Sequence, residues 1–154
     1  MGVPLKFAGP GCEPKLAQVD AANLSKHCQK CQGMPEGLSL ASVVKSTVAD
    51  NASFGSALDS ATPGQNGVPL VATDNVAGIL VDGASGEITI SYTNVAGAGT
   101  LVMAPRDGSS AGAALVSGTV PTSSIVWNCN AASSTKAGTN GTLVAKYAPA
   151  NCRT

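Results

Sequence analysis

Seventy of the 154 residues are Gly, Ala, Ser or Thr, so side-chain volume for building a core is scarce. Leu, Ile, Val and Phe together number 32, just above the level at which a chain cannot offset the entropy of ordering itself. Such a chain supports one compact domain and not two. Only 12% of residues are charged and the formal net charge is zero, which excludes a binder that neutralises many nucleic-acid phosphates. No run of 18 apolar residues occurs, so the expectation is a soluble, monomeric chain with no membrane span. The opening MGVPLKFAGPGCEPK lacks a basic stretch followed by an apolar one, and no ordinary secretory signal is visible in it.

Composition changes along the chain. Residues 1–34 hold three of the five Cys and the single His, whereas 35–154 are rich in Gly, Ala, Ser, Thr and Val. Gly33, Pro35 and Gly37 fall within five residues and resist a helix. A boundary is therefore expected there, between an N-terminal segment of separate origin (1–34) and a globular domain (35–154). EPKLAQVDAANLSKHCQKC (13–31) has a helical pattern with an early Pro. GLSLASVVKSTVADN (37–51) sets Leu40, Val43, Val44, Thr47 and Val48 on one helical face and Ser39, Ser42, Lys45 and Ser46 on the other, with Asn51 placed to close it. Residues 51–75 read as a long irregular connection.

Beyond residue 75 the period becomes two. VAGILVD (76–82), GEITISYT (86–93), GTLVMAP (99–105) and SSIVWNC (123–129) read as strands, the first three joined by short Gly-bearing links. Ile88, Ile90 and Tyr92 alternate with Thr89, Ser91 and Thr93, which gives one buried and one polar face. The 106–123 stretch, rich in Gly and Ser, reads as an excursion loop. A helix covering the apolar face of an antiparallel meander makes an α+β fold.

Cys129 and Cys152 lie in a polar, Gly-rich tail, and neither has a His or carboxylate neighbour at metal-ligand spacing. A disulfide is the economical reading, and it implies an oxidising compartment. The ordered set EGLSLASVVKSTVAD, GEITISYT, TLVMAP, IVWNC and KYAPANCR over residues 35–154 resembles the globular head of a type IV pilin. The resemblance implies one long helix packed on a four-stranded antiparallel sheet, with a C-terminal loop bounded by Cys129 and Cys152. It also implies an extracellular bacterial filament assembled from the inner membrane, with other pilin subunits as partners. A pilin begins with a basic leader and about 25 apolar residues, and residues 1–34 contain neither. Either that anchor has been replaced by other sequence, the reading preferred here, or the chain is a divergent relative with a different assembly element.

Other chemistry finds little support. Cys12, His27, Cys28 and Cys31 form the one cluster suited to Zn²⁺ or thiol exchange. It lacks a second ligand pair, and a haem-attachment motif would need His where Gln32 stands. The simpler reading is a structural or incidental disulfide, with no metal and no cofactor. Carboxylates are dispersed and no nucleophile–base arrangement is visible, so no enzyme is expected. GASG and GTNG read as turns. Lys136, Lys146 and Arg153 make the tail mildly basic; solvated charges are the plain reading, weak DNA contact the sharper one. Trp127 reads as core rather than as a ligand platform.

The function expected is a structural subunit of an extracellular type IV pilus serving adhesion, possible host-surface contact and twitching motility. The alternatives are a minor pilin acting as a DNA receptor, and a small extracellular binding module carrying a Cys/His metal segment.

Overall fold

The computed structural model describes residues 21–61 and 72–153, excepting the side chains of 21–29, 31, 32 and 61. One helix, α1 (Ala21–Ser53), precedes four strands, β1 (Val76–Val81), β2 (Ile88–Tyr92), β3 (Gly99–Asp107) and β4 (Ile125–Asn130). Short 3-10 helices lie at Leu58–Ala61 and Ala150–Cys152. The strands pair antiparallel in sequence order, β1-β2-β3-β4. This is the helix-on-meander α+β arrangement expected, and each of the four expected strands is present.

The helix itself differs from expectation in two ways. It runs unbroken across Gly33, Pro35 and Gly37, where an interruption was expected. Pro35 has no N–H to give the carbonyl four residues back, a loss of about 3 kcal/mol in an isolated helix. Tertiary packing outweighs it: Met34 is buried, and its carbonyl accepts a hydrogen bond from the Tyr92 hydroxyl at 3.0 Å. The two glycines serve contact rather than interruption. A Cβ on Gly33 would lie 2.7 Å from the Ala96 Cβ, and one on Gly37 would collide with the Tyr92 hydroxyl.

The buried stripe keeps Val44 and Val48 of the expected face but is centred on smaller residues. It runs through Met34, Gly37, Ala41, Val44, Val48 and Ala52, steps of three and four that keep one side of a 3.6-residue helix inward. Val43, expected inside, is 64% exposed. Weighting by side-chain size drew the face toward Val43, whereas the sheet selects Gly and Ala because they let the backbone approach. At its C-terminal end α1 closes at Gly55 rather than at Asn51. Gly55 N–H donates to the Ala52 carbonyl and Ser56 N–H to the Asn51 carbonyl. With φ of 63° at Gly55, that pair of bonds is the Schellman closure, which favours a residue without Cβ.

On the sheet, Ile88, Ile90 and Tyr92 face α1 as their alternation indicated. Register slips between Val76 and Gly78 in β1, and the bulge puts Val76, Ile79 and Val81 all on the buried side. Leu101 and Met103 of β3 join the same core. Helix and sheet are also tied at the polar rim, where Asn75 Nδ2 donates to Glu36 Oε2 at 2.6 Å. That bond, then one from Thr73, holds the Glu36 carboxyl below the ordinary carboxylate range.

Burial, and secondarily the Glu36 carboxylate, pushes the Tyr92 phenol well above its ordinary value of 10.0. Its neutral form thus contributes stability that is complete below pH ~10 and is lost as pH rises further. Tyr92→Phe should lower stability by about 1 kcal/mol at neutral pH and flatten the alkaline loss, read from urea midpoints at pH 7 and above 10. Gly37→Ala, by forcing helix and Tyr92 apart, should cost about 1–3 kcal/mol in the same assay.

Candidate functional site: the C-terminal disulfide loop

Cys129 ends the helix-facing row of β4, and the tail returns to it. The two sulfurs are bonded, Cys129 to Cys152, with Cα atoms 4.6 Å apart, and both residues are buried. Ala131 N–H donates to the Cys152 carbonyl at 2.9 Å, so the staple is flanked by a backbone bond. The loop between them crosses to the opposite face of the sheet from α1.

That opposite face is polar but not solvated. Val102, Ala104, Arg106, Asn128 and Asn130 are all buried there, and buried polar groups need partners. Asn128 Nδ2 donates to the Ser110 carbonyl at 2.7 Å and to that of Ala137 at 2.9 Å. Asn130 Nδ2 donates to the Thr139 carbonyl at 3.2 Å, and its Oδ1 accepts from the Ser134 hydroxyl at 3.1 Å. Arg106 pairs with Glu87 at 2.9 Å, and the same Glu87 oxygen accepts Thr139 N–H at 3.2 Å. The loop is thus held at its backbone by Asn128 and Asn130 of β4 and by Glu87 just ahead of β2.

At the start of β3 the loop substitutes for a strand. Leu143 N–H donates to the Thr100 carbonyl at 2.9 Å, and Ala132 N–H to the Leu143 carbonyl at 3.0 Å. Thr100 and Thr142 exchange backbone-to-hydroxyl bonds, both at 3.0 Å. Leu143 is fully buried. At Gly141 any Cβ would run into the Thr100 carbonyl oxygen, so no other residue fits.

Lys136 and Lys146 belong to this loop, and Arg153 follows its closing Cys152. Lys136 Nζ donates to the Asn151 carbonyl, and Arg153 Nε to the Ala148 carbonyl at 2.7 Å. Lys146 Nζ lies 4.8 Å from the Tyr147 ring centre, and Lys30 of α1 reaches the same ring at 5.1 Å. These cations brace the loop on itself and on the helix. Trp127 is half-buried and packs on the core, with Lys45 Nζ 5.2 Å above its ring; burial lowers the Lys45 pKa. Trp127 also lines an open cleft of about 420 Å³, with Ala49, Ser53, Val120, Pro121 and Ile125 among its walls.

The excursion loop is pinned by Asp107, which accepts Thr122 N–H and hydroxyl at 2.8 Å and Ser123 N–H at 2.7 Å. Those bonds, Thr122 first, lower its pKa. His27, Cys28 and Cys31 fall on α1, but their side chains, with Cys12, lie outside the described residues. Among the described residues no group of His, Cys, Asp or Glu is placed to hold a metal, and no helix is long and apolar enough to cross a membrane. Glu87, Arg106, Asn128 and Asn130 escaped the sequence reading, because an outward polar row on a strand looks the same whether water or a loop covers it.

A family model described as Pilin (bacterial filament) matches residues 33–153. No curated protein and no solved structure matches the chain. Reducing the Cys129–Cys152 bond should cost about 3 kcal/mol and lower Tm by roughly 6–12 °C, measured by calorimetry with and without reductant.

Proposed function

This chain belongs to the pilin family and is a pilus filament subunit, and from that premise we propose that it serves surface adhesion and twitching motility from a pilus assembled at the inner membrane. The observation that carries the reading is the joint presence, within the matched span, of the small-residue helix face on a meander and a stapled loop over the meander's other side. Inside such a subunit, the staple and the polar network fix the loop's inner surface, which leaves its outer surface free to differ without disturbing the core. Val144 is 50% exposed on that surface.

Just past α1, Phe54 is 83% exposed, next in the chain to Ser53, which lines the cleft with Trp127. An aromatic left in water at the end of a helix suits a contact with a neighbouring subunit. The 52–75 connection and the 129–152 loop are thus the edges we assign to subunit packing and surface contact. A DNA-receptor role would draw on Lys136, Lys146 and Arg153, two of which already donate to loop carbonyls. We assign residues 1–34 a separate origin; Met34 and Lys30 nonetheless pack with the domain.

Deletion of the gene in its bacterium should abolish pili carrying this subunit, with adhesion and surface motility, and complementation should restore them. Filaments, adhesion and motility that persist unchanged in the deletion would refute the proposal. Phe54→Ala should reduce filament yield while leaving the thermal midpoint of the isolated protein within about 1 °C, since an exposed side chain adds little to folding.

A further inference from the structure

Asn140–Gly141 is a chemically fragile step in this loop, and its fragility is forced by packing. In an open chain the Gly141 backbone nitrogen attacks the Asn140 Cγ. The N–Cγ bond forms as the Cγ–Nδ2 bond breaks, the proton from Gly141 leaves with the side-chain nitrogen as ammonia, and a cyclic imide results. Water then opens the imide at either carbonyl, leaving aspartate or isoaspartate. A side chain at position 141 would hinder this attack, but Gly141 is buried with no room for a Cβ against the Thr100 carbonyl. The fold therefore needs the residue that makes Asn140 most reactive.

The same fold engages both reacting groups. Gly141 N–H donates to the Asn130 carbonyl at 3.2 Å, which opposes its deprotonation, and Asn140 Nδ2 donates to the Ser134 carbonyl at 2.9 Å, which fixes the amide. Gly141 is followed by the Leu143 and Thr142 bonds to Thr100, so turning nitrogen toward Cγ means lifting this stretch off β3. Asn140 itself is exposed, and water reaches it. Reaction awaits only opening of the backbone.

We propose that Asn140 is a latent deamidation site, kept intact by the closed loop and released to spontaneous conversion when a dithiol reduces the Cys129–Cys152 bond to two thiols and is itself oxidised to a disulfide. Once converted, the site does not return. The new carboxylate has no N–H to give the Ser134 carbonyl and sets oxygen against oxygen, and isoaspartate inserts an extra backbone carbon where Gly141 must meet Thr100. Either product loosens the loop that shields the polar face of the sheet.

The test is peptide mapping by mass spectrometry of the whole protein aged at mildly alkaline pH in three states: disulfide intact, reduced and alkylated without denaturant, and unfolded in denaturant. The unfolded chain supplies the intrinsic rate. Conversion at Asn140 should be slower in the intact protein by about tenfold or more, which needs only about 1.4 kcal/mol of local closing free energy. The reduced protein should move toward the unfolded rate. Asn140→Gln, whose longer side chain cyclises poorly, should remove the product while the Cys129–Cys152 bond still forms. Equal rates in the intact and unfolded proteins, or a reduced protein as well protected as the intact one, would overturn the proposal.

Discussion

The distance between α1 and the sheet governs the rest of the molecule, and two missing side chains set it. Gly33 and Gly37 bring the helix backbone against Ala96 and the Tyr92 ring, and Ala41 and Ala52 continue the close approach. Few large residues are then needed to exclude water, because thin layers leave little space to fill. Tyr92 secures the approach twice, by the area of its ring and by its bond to the Met34 carbonyl. That contact also explains why Pro35 is tolerated. The helix is held from outside at the turn where its own ladder is weakest.

The sheet's second face obeys a different chemistry. Facing α1 it offers Ile, Leu and Val, which need only contact; facing the tail it offers Asn128, Asn130 and Arg106, which need partners in fixed directions. An apolar surface would accept a loop in many positions. Amides and a guanidinium accept it where the carbonyls of Ala137 and Thr139 and the Glu87 carboxylate meet them. The disulfide limits how far the tail can wander, and these bonds determine where it comes to rest. Removal of Glu87 would leave the buried Arg106 guanidinium without its ion pair and Thr139 N–H without its acceptor, which makes the network cooperative with the staple.

Much of this was legible in the residues. The four strands announced themselves by alternation and by Gly-bearing links, and Cys129 and Cys152 by their isolation from other ligands. What was not legible depended on tertiary choice. Gly33, Pro35 and Gly37 carry strong local signals against a helix, yet a helix spans them because the sheet rewards close approach there and local propensity is worth only a few kcal/mol. Val43 looked internal for its size and lies outside, since Gly37 and Ala41 define the face. In the candidate site, the basic residues Lys136 and Arg153 were visible as charges but not as braces, because the carbonyls they reach, of Asn151 and Ala148, come into range only through the path of the folded loop. Asn128 and Asn130 had the outward phase of solvent-facing residues, and nothing local distinguishes a loop from water.

The sheet's sequential order also bears on how the correct sulfurs find each other. Each strand docks beside the one made just before it, so the meander can be completed hairpin by hairpin, with short closures at 82–87 and 93–98 and a longer one at 108–124. Cys152 is the last of the five cysteines and emerges after every other thiol. Any oxidation before the tail is made would find Cys129 beside Cys12, Cys28 and Cys31 and without its native mate. Faithful maturation then requires that oxidation lag behind docking of the tail, or that a thiol isomerase reshuffle early mispairs.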